Sequence, residues 1–242
     1  MQIIIVGRGH GGTRVISQTL AESGIYTGTV NGAGDLVPAE QMYKAVKLFG
    51  SFVKRKDDDW DFSTAMDAPV PDAYRDCLRE YLRCFEGHDT YGWKLPETVL
   101  ALPWLVQVFP DAYFIHWVRD GRDSILQWHG TIDLALYKVV YDQGDDLYTQ
   151  GAVSWDYHEE LTAQTPKPKH WIKVRFEDFV EHQNRELQRL HDYLGRPLNA
   201  IPVNRPPVRR YLNHDLTALM PILERHLISN GYPVAERVPI DA

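Results

Sequence analysis

The feature that most constrains the fold of this chain is a glycine-dense turn that follows an apolar run at residues 3–6. An unbroken row of isoleucine and valine is typical of a buried strand. The glycines of the turn are Gly7, Gly9, Gly11 and Gly12. Because glycine adopts backbone conformations closed to other residues, such a turn can direct several N–H groups and a helix N-terminus onto one anion. A merely tight strand-to-helix turn would need fewer glycines, so the sequence predicts a phosphate-binding turn.

The turn is close to the P-loop pattern of ATP and GTP hydrolases but does not match it. Gly7 and Gly12 have the spacing of the glycines in Gly-x4-Gly-Lys-Ser/Thr, whereas Thr13 stands in place of the lysine and Arg14 follows it. Those enzymes use the lysine against the β- and γ-phosphates and the next hydroxyl on Mg²⁺. The pattern therefore argues against triphosphate chemistry. A P-loop small-molecule kinase remains an alternative, but it is the less favoured one because the lysine is missing.

Apolar extended segments alternate with helical ones along the chain, which is typical of an α/β fold with a parallel sheet covered on both faces. Strands are predicted at residues 3–6, 112–118 and 171–174, and helices at residues 15–23, 72–85, 97–108, 178–194 and 215–229. Residues 31–71 and 142–165 are less regular but rich in aromatic side chains. We therefore expect them to cover one domain that spans residues 1–242.

Two arginines stand at the end of the second predicted strand, in Val118-Arg119-Asp120-Gly121-Arg122-Asp123. Ligands of open α/β sheets bind at the carboxyl ends of the strands. Since a guanidinium group binds two phosphate oxygens at once, we interpret Arg119 as the ligand of a second anion. The alternative is a structural ion pair of Arg119 or Arg122 with Asp120 or Asp123. The two interpretations are compatible if Arg122 is structural and Arg119 binds the ligand.

Composition narrows the class of protein further. The chain has 26 Lys and Arg against 33 Asp and Glu, a net charge of −7, which argues against a surface for nucleic acid or anionic membrane. No apolar run reaches the roughly 18 residues that span a bilayer. The first residues lack the features of a signal peptide, so we expect a cytoplasmic protein. The spacing of histidines and cysteines predicts no metal site.

These residues together resemble sulfotransferases that use 3′-phosphoadenosine 5′-phosphosulfate (PAPS) as sulfonate donor. The similar segments are the Gly-Gly-Thr-Arg turn at residues 9–14, residues 91–97 with 102–105, the Arg-Asp-Gly-Arg-Asp segment at 118–123, and Arg-Phe-Glu-Asp within 174–179. The resemblance implies a three-layer α/β/α fold with a central parallel sheet and a P-loop-like phosphate-binding turn. It also implies that adenosine 3′,5′-bisphosphate is the product and that no metal takes part.

The resemblance assigns binding residues by position. The residues implied to hold the 5′-phosphosulfate are Gly9, His10, Gly11, Gly12, Thr13 and Arg14. Arg119 is implied to hold the 3′-phosphate, and Gln127 stands where the family has a serine on the same phosphate. Arg209 and Arg210 stand where the family has a basic loop over that phosphate.

The chain departs from the family at the reacting centre. His10 replaces a lysine or arginine and is charged only if the phosphates raise its pKa above the usual value of about 6.5. Lys94 replaces a histidine, and we interpret it as a cation on the sulfonate, with a role as base as the alternative. Glu97 is then the candidate base, unless it is an exposed glutamate at a helix start. Further candidates for the base are His116, His129 and His158.

The hypothesis from sequence is therefore a PAPS-dependent sulfotransferase that acts on a hydroxyl or amine of a small-molecule, glycan or lipid-like acceptor. Residues 31–71 and 142–165 would form the walls of the acceptor pocket. The alternative outside catalysis is a nucleotide-binding protein that keeps the fold but has lost turnover, which the replacement at His10 motivates. Nothing in the sequence indicates an oligomeric state.

Overall fold

A computed structural model describes residues 1–57, 59–142, 144–203 and 208–234. Parts of the predicted domain 1–242 and of the segments 31–71 and 142–165 lie outside these ranges. The strands are β1 (Gln2–Val6), β2 (Lys54–Lys56), β3 (Asp59–Asp61), β4 (Tyr91–Lys94), β5 (Tyr113–Val118) and β6 (His170–Arg175). The helices are α1 (Thr13–Glu22), α2 (Glu40–Gly50), α3 (Ser63–Asp67), α4 (Asp72–Tyr81), α5 (Leu102–Val108), α6 (Gly121–Ser124), α7 (Leu147–Gln164), α8 (Phe176–Glu181), α9 (Gln183–Leu194) and α10 (Met220–Ser229). The described 3-10 helices are Arg83–Phe85, Pro96–Ala101, Gly130–Ile132, Leu134–Tyr137, Arg210–Asn213 and Thr217–Leu219.

The core of the protein is a parallel four-stranded sheet in the order β4-β1-β5-β6. Alternate residues of β1 enter two separate apolar clusters, because successive side chains of a strand point to opposite faces. Ile4 and Val6 pack in a cluster with residues of α2, α4, α5 and α7, whereas Ile3 and Ile5 pack with residues of α1, α8 and α9. The sheet is thus a middle layer between two layers of helices, which confirms the predicted α/β/α fold.

Some elements differ from the prediction for identifiable reasons. β4 was not predicted because Gly92 and Lys94 interrupt its apolar pattern. The segment 142–165 was expected to be irregular but contains the 18-residue helix α7, most of whose residues are buried. A helix buried on all sides lacks the amphipathic period by which helices are recognised. The segment 31–71 likewise holds α2, α3 and the β2–β3 hairpin.

Four predicted helices are interrupted in the structure. The helix expected at 72–85 is α4 followed by the 3-10 helix Arg83–Phe85. The helix expected at 97–108 is a 3-10 helix (Pro96–Ala101) followed by α5, which has a proline in its first turn. The helix expected at 178–194 is divided at His182 into α8 and α9. The helix expected at 215–229 begins with a 3-10 turn before α10. Among the described helices, none combines the length and apolar character that a membrane crossing requires.

Candidate active site

The glycine turn joins the carboxyl end of β1 to α1 and takes the form predicted from the sequence. Gly12 precedes α1 with φ 78, in the left-handed region, and a Cβ atom there would lie 2.5 Å from the ring of Phe176. Glycine is therefore required at this position by both backbone and packing. α1 has no side-chain cap and no acidic residue in its first turn, so its leading N–H groups are available to an anion. Thr13 is buried and Arg14 is exposed at this helix start.

His10 lies at the centre of the turn in the left-handed conformation, with φ 59. Its Nε2 atom lies 2.7 Å from the Trp128 carbonyl oxygen. Because a carbonyl only accepts, Nε2–H is the donor and Nδ1 remains for a ligand. Burial lowers the pKa of His10 below its ordinary value, and the nearby Arg8, Arg119 and Arg210 lower it further, whereas the Trp128 carbonyl opposes the shift. The ring is therefore mainly neutral at pH 7 before an anion binds.

Arg8 belongs to the candidate site, although the sequence did not predict it. Its side chain is buried beneath the turn and donates to the carbonyl oxygens of Ser124 at 3.0 Å and Gly151 at 3.4 Å. It thereby ties the turn to α6 and α7. Burial lowers the pKa of Arg8 to about 10, with Glu159 opposing the shift, so the guanidinium stays charged at neutral pH. The sequence signal was only a basic residue between two glycines.

Arg119 follows β5 directly and reaches the glycine turn. It donates to the His10 carbonyl oxygen at 3.1 Å and pairs with Asp123 at 3.2 Å. Its guanidinium also lies over the Phe176 ring, 4.6 Å from the centroid. Arg122 instead pairs with Asp120 at 2.7 Å, so both arginines make ion pairs of the kind expected as the alternative to ligand binding. Arg119 is the one of the two that contacts the turn.

Asp123 docks a basic loop onto this strand end. Its carboxylate is buried and accepts the backbone N–H groups of Arg209 at 2.9 Å and Tyr211 at 3.1 Å. Arg210 donates to the Asp123 carbonyl oxygen at 3.1 Å. Burial lowers the pKa of Arg210, and the neighbouring charge of Arg119 lowers it further. The loop thus brings Arg210 beside Arg119 and leaves Arg209 exposed.

Gln127, which was predicted to bind the 3′-phosphate, lies on an exposed stretch after α6. Its neighbour Trp128 is 60% exposed and supplies the carbonyl that fixes His10. Ser124, the nearest serine, is buried and donates to the Gly121 carbonyl oxygen at 3.2 Å. The role predicted for Gln127 stays a prediction.

Lys94 ends β4, where it is paired in register with Ile5 of β1. Its buried ammonium group contacts the Asp35 carboxylate and donates to the Ala33 carbonyl oxygen at 2.8 Å. Burial lowers the pKa of Lys94, while Asp35 opposes the shift. Asp35 was not predicted, because nothing in its local sequence distinguishes it from a loop aspartate. Asn31 holds this carboxylate in place through an amide donor at 3.1 Å.

Glu97 is buried rather than exposed, which contradicts the alternative of an exposed glutamate at a helix start. Tyr137 donates to Oε1 at 3.3 Å, and Oε2 has no hydrogen-bond partner among the described residues. Burial raises the pKa of this carboxyl, and Asp35 raises it further, whereas Lys94 and the hydrogen bonds oppose the shift. The structure thus brings the predicted residues Lys94 and Glu97 together and adds Asp35 to them.

Of the three histidines expected as further candidates for the base, two are buried and one lies beside the glycine turn. His116 and His158 are both buried, and burial lowers the pKa of each to about 3. His129 is partly exposed and lies beside His10, with 5.4 Å between the ring centroids. The described residues contain no cluster of three His, Cys, Asp or Glu side chains that could hold a metal ion.

Comparison with known proteins places this chain in a family. A model described as "Sulfotransferase family" matches residues 2–200. The omega-hydroxy-beta-dihydromenaquinone-9 sulfotransferase Stf3 of Mycobacterium bovis is 29% identical over 136 residues, and so is its Mycobacterium tuberculosis counterpart. That match covers 53% of this chain and 34% of the relative, so the chain spans only about a third of the length of the curated relatives.

Solved structures share the fold. Sulfotransferase STF9 from Mycobacterium avium has a TM-score of 0.58 at 17% identity, over 96% of this chain and 77% of that one. The sulfotransferase domain from the curacin biosynthetic pathway has a TM-score of 0.56 at 14% identity, over 96% of this chain and 97% of that domain. Since the family model covers most of the sequence, the chain belongs to the sulfotransferase family.

Proposed function

We propose that this protein transfers a sulfonate group from PAPS to a hydroxyl or amine of a small-molecule, glycan or lipid-like acceptor. The observation that carries the proposal is the placement of two groups suited to bind anions at the carboxyl edge of one sheet. One is the uncapped start of α1 behind the glycine turn. The other is Arg119, which follows β5 directly, together with Arg210, which the basic loop brings beside it. PAPS has two separated anions, a 5′-phosphosulfate and a 3′-phosphate, and therefore requires two such groups.

The donor set fits PAPS chemically. Backbone N–H groups at a helix start bind phosphate oxygens, and we assign the 5′-phosphosulfate to the turn residues 9–14. Guanidinium groups bind phosphate through charge-assisted hydrogen bonds, and we assign the 3′-phosphate to Arg119 and Arg210. Arg8 is a permanent charge beneath the turn, which supports anion binding even while His10 is neutral.

Transfer requires a cation for the sulfonate and a base for the acceptor. The acceptor oxygen or nitrogen would form a bond to sulfur while the bond from sulfur to the 5′-phosphate oxygen breaks. The electron pair of that bond leaves with adenosine 3′,5′-bisphosphate. Lys94 would contact the sulfonate oxygens, and Asp35 would take the acceptor's proton, since its side chain is 14% exposed beside the buried ammonium. Glu97, the base predicted from sequence, is the alternative to Asp35 in this role.

A hydroxyl acceptor has independent support from the comparisons. The name of the Stf3 relatives, omega-hydroxy-beta-dihydromenaquinone-9 sulfotransferase, specifies a hydroxylated molecule as the acceptor of those proteins. We propose a hydroxyl-bearing acceptor for this chain first, and an amine second.

The test of this function is acceptor-dependent release of adenosine 3′,5′-bisphosphate from PAPS. The protein is incubated with PAPS and each of a panel of alcohols and amines, and the released bisphosphate is measured by chromatography. We expect turnover without Mg²⁺. Tight binding of the bisphosphate with no release for any acceptor would support the non-catalytic nucleotide-binding protein. Turnover of ATP that requires Mg²⁺ would support the small-molecule kinase instead.

The assignment of the 3′-phosphate is tested by Arg119→Ala. Loss of a charge-assisted hydrogen bond costs about 1.5–3 kcal/mol, which corresponds to roughly 10- to 100-fold in affinity for adenosine 3′,5′-bisphosphate. Adenosine 5′-phosphate, which lacks the 3′-phosphate, should lose much less in the same fluorescence titration. Arg79→Ala removes an exposed arginine of α4 and serves as the control. Equal losses for both nucleotides would refute the 3′-phosphate role of Arg119.

A further inference from the structure

His129 packs directly on the glycine turn. A Cβ atom on Gly9 would lie 2.1 Å from His129 Nδ1, so glycine at this position is what admits the ring. The His129 ring also meets the His10 ring edge to face, 5.4 Å between centroids. The side chain therefore forms one wall of the turn that we assign to the 5′-phosphosulfate.

The hydrogen bonds of His129 determine which ring nitrogen carries the proton. Nδ1 accepts the backbone N–H of Thr131 at 3.1 Å and lies 3.0 Å from the Thr131 hydroxyl. A backbone N–H group only donates, so the Nδ1 lone pair is occupied and the neutral ring carries its proton on Nε2. Thr131 is itself buried and held by Ser154 of α7, whose hydroxyl donates to the Thr131 carbonyl oxygen at 2.7 Å.

The charge state of His129 follows from the same surroundings. Burial lowers its pKa to about 4, and the nearby groups His10, Arg8 and Lys94 lower it further, whereas Asp35 opposes the shift. Protonation of Nδ1 would also place two N–H groups against each other, those of Nδ1 and of the Thr131 backbone, and would break their hydrogen bond. The ring is therefore neutral across the physiological range, and its Nε2–H makes no hydrogen bond to any residue that the structure describes.

On the basis of the proposed function, we propose that His129 is a catalytic hydrogen-bond donor, whose Nε2–H binds a sulfonate oxygen during transfer. A fixed neutral donor suits this position, because negative charge on the sulfonate and the leaving phosphate must be stabilised without moving a proton. His129 is thereby excluded as the base, since Nε2 already carries the proton and Nδ1 is used by Thr131.

The experiment compares His129→Gln, His129→Asn and His129→Phe. The amide nitrogen of glutamine reaches about as far as Nε2, whereas asparagine reaches only as far as Nδ1. Loss of one such donor typically costs about 10²–10³ in kcat. We expect losses of that size for His129→Asn and His129→Phe, and a loss within about tenfold for His129→Gln, with the affinity for adenosine 3′,5′-bisphosphate within about threefold of wild type in all three.

Each outcome decides the proposal. Equal and large kcat losses in all three variants would assign His129 as the base, and wild-type kcat in His129→Asn would remove it from catalysis. A purely structural role would lower nucleotide affinity along with kcat. Nitrogen NMR of ¹⁵N-histidine-labelled protein tests the tautomer without turnover, and a proton on Nδ1 at pH 7 would overturn the assignment. If wild type transfers no sulfonate from PAPS, the proposed function fails and this role with it, whereas active wild type with an equally active His129→Asn overturns only the role of His129.

Discussion

The proton on His10 should make nucleotide binding depend on pH. In the free protein the pKa of His10 is lowered below its ordinary value by burial and by Arg8, Arg119 and Arg210. Bound phosphates favour the charged ring, so the pKa must rise in the complex. Between the free and bound pKa values, binding takes up one proton. The affinity is therefore highest at low pH and falls as pH rises through that window.

The size of the effect follows from elementary electrostatics. Two unit charges about 4 Å apart at an effective dielectric constant of about 20 interact by about 4 kcal/mol. That energy corresponds to roughly a thousandfold preference for the charged imidazole in the complex. Within the window, the affinity for adenosine 3′,5′-bisphosphate should fall about tenfold per pH unit.

Isothermal titration calorimetry at pH 6, 7 and 8, in two buffers of different ionisation enthalpy at each pH, measures both the affinity and the number of protons taken up. His10→Lys keeps the charge throughout this range and should bind with little proton uptake at pH 7 and 8. The phosphates' own ionisation near pH 6 affects both proteins equally, so the difference between them isolates His10. The same pH dependence in wild type and His10→Lys would refute the reasoning.

Two further predictions concern packing and the base. Gly12→Ala places a methyl group against Phe176 at a position where φ is 78. The left-handed backbone alone costs about 1–2 kcal/mol for a residue other than glycine, and the contact with Phe176 should add to that loss of stability. The measurement is the fall in Tm. Gly24→Ala, at φ 74 with no atom within 4 Å, is the matched control, and equal losses would contradict the contact. Asp35→Asn should lower kcat by about 10²–10⁴ with little change in nucleotide affinity, as expected for a general base. A greater kcat loss in Glu97→Gln than in Asp35→Asn would return that role to Glu97.

Three of the four strands of the central sheet and the glycine turn were predictable because each depends on neighbouring residues. The row of isoleucines before Gly7 leaves no face for water, and the glycines that follow permit the turn. Arg119 was predicted to face a ligand from its place after an apolar strand, and it contacts the turn through the His10 carbonyl oxygen. Its pairing with Asp123 was left open, since four residues of separation allow an ion pair but do not require one.

The proposed reacting centre was only partly predictable because its members come from distant segments. Asp35 meets Lys94 across 59 residues, and Arg8 meets Ser124 across 116. No local pattern marks Asp35 or Arg8 as different from an ordinary loop residue. α7 was missed for a related reason: its burial on all sides, which removes the amphipathic pattern, is a consequence of the packed core.

The position of the candidate anion site follows from contiguous residues: a strand, glycines and a helix start provide N–H groups whatever surrounds them. The proton and the charge at that place do not follow from contiguous residues. Burial of His10, the contact of Lys94 with Asp35, and the packing of His129 on Gly9 all arise when the layers pack. Desolvation and pairing set the energy of an ionised group, and both depend on neighbours in space. Local sequence therefore locates the candidate phosphate site, whereas tertiary packing determines the charge and the hydrogen bonds of the side chains around it.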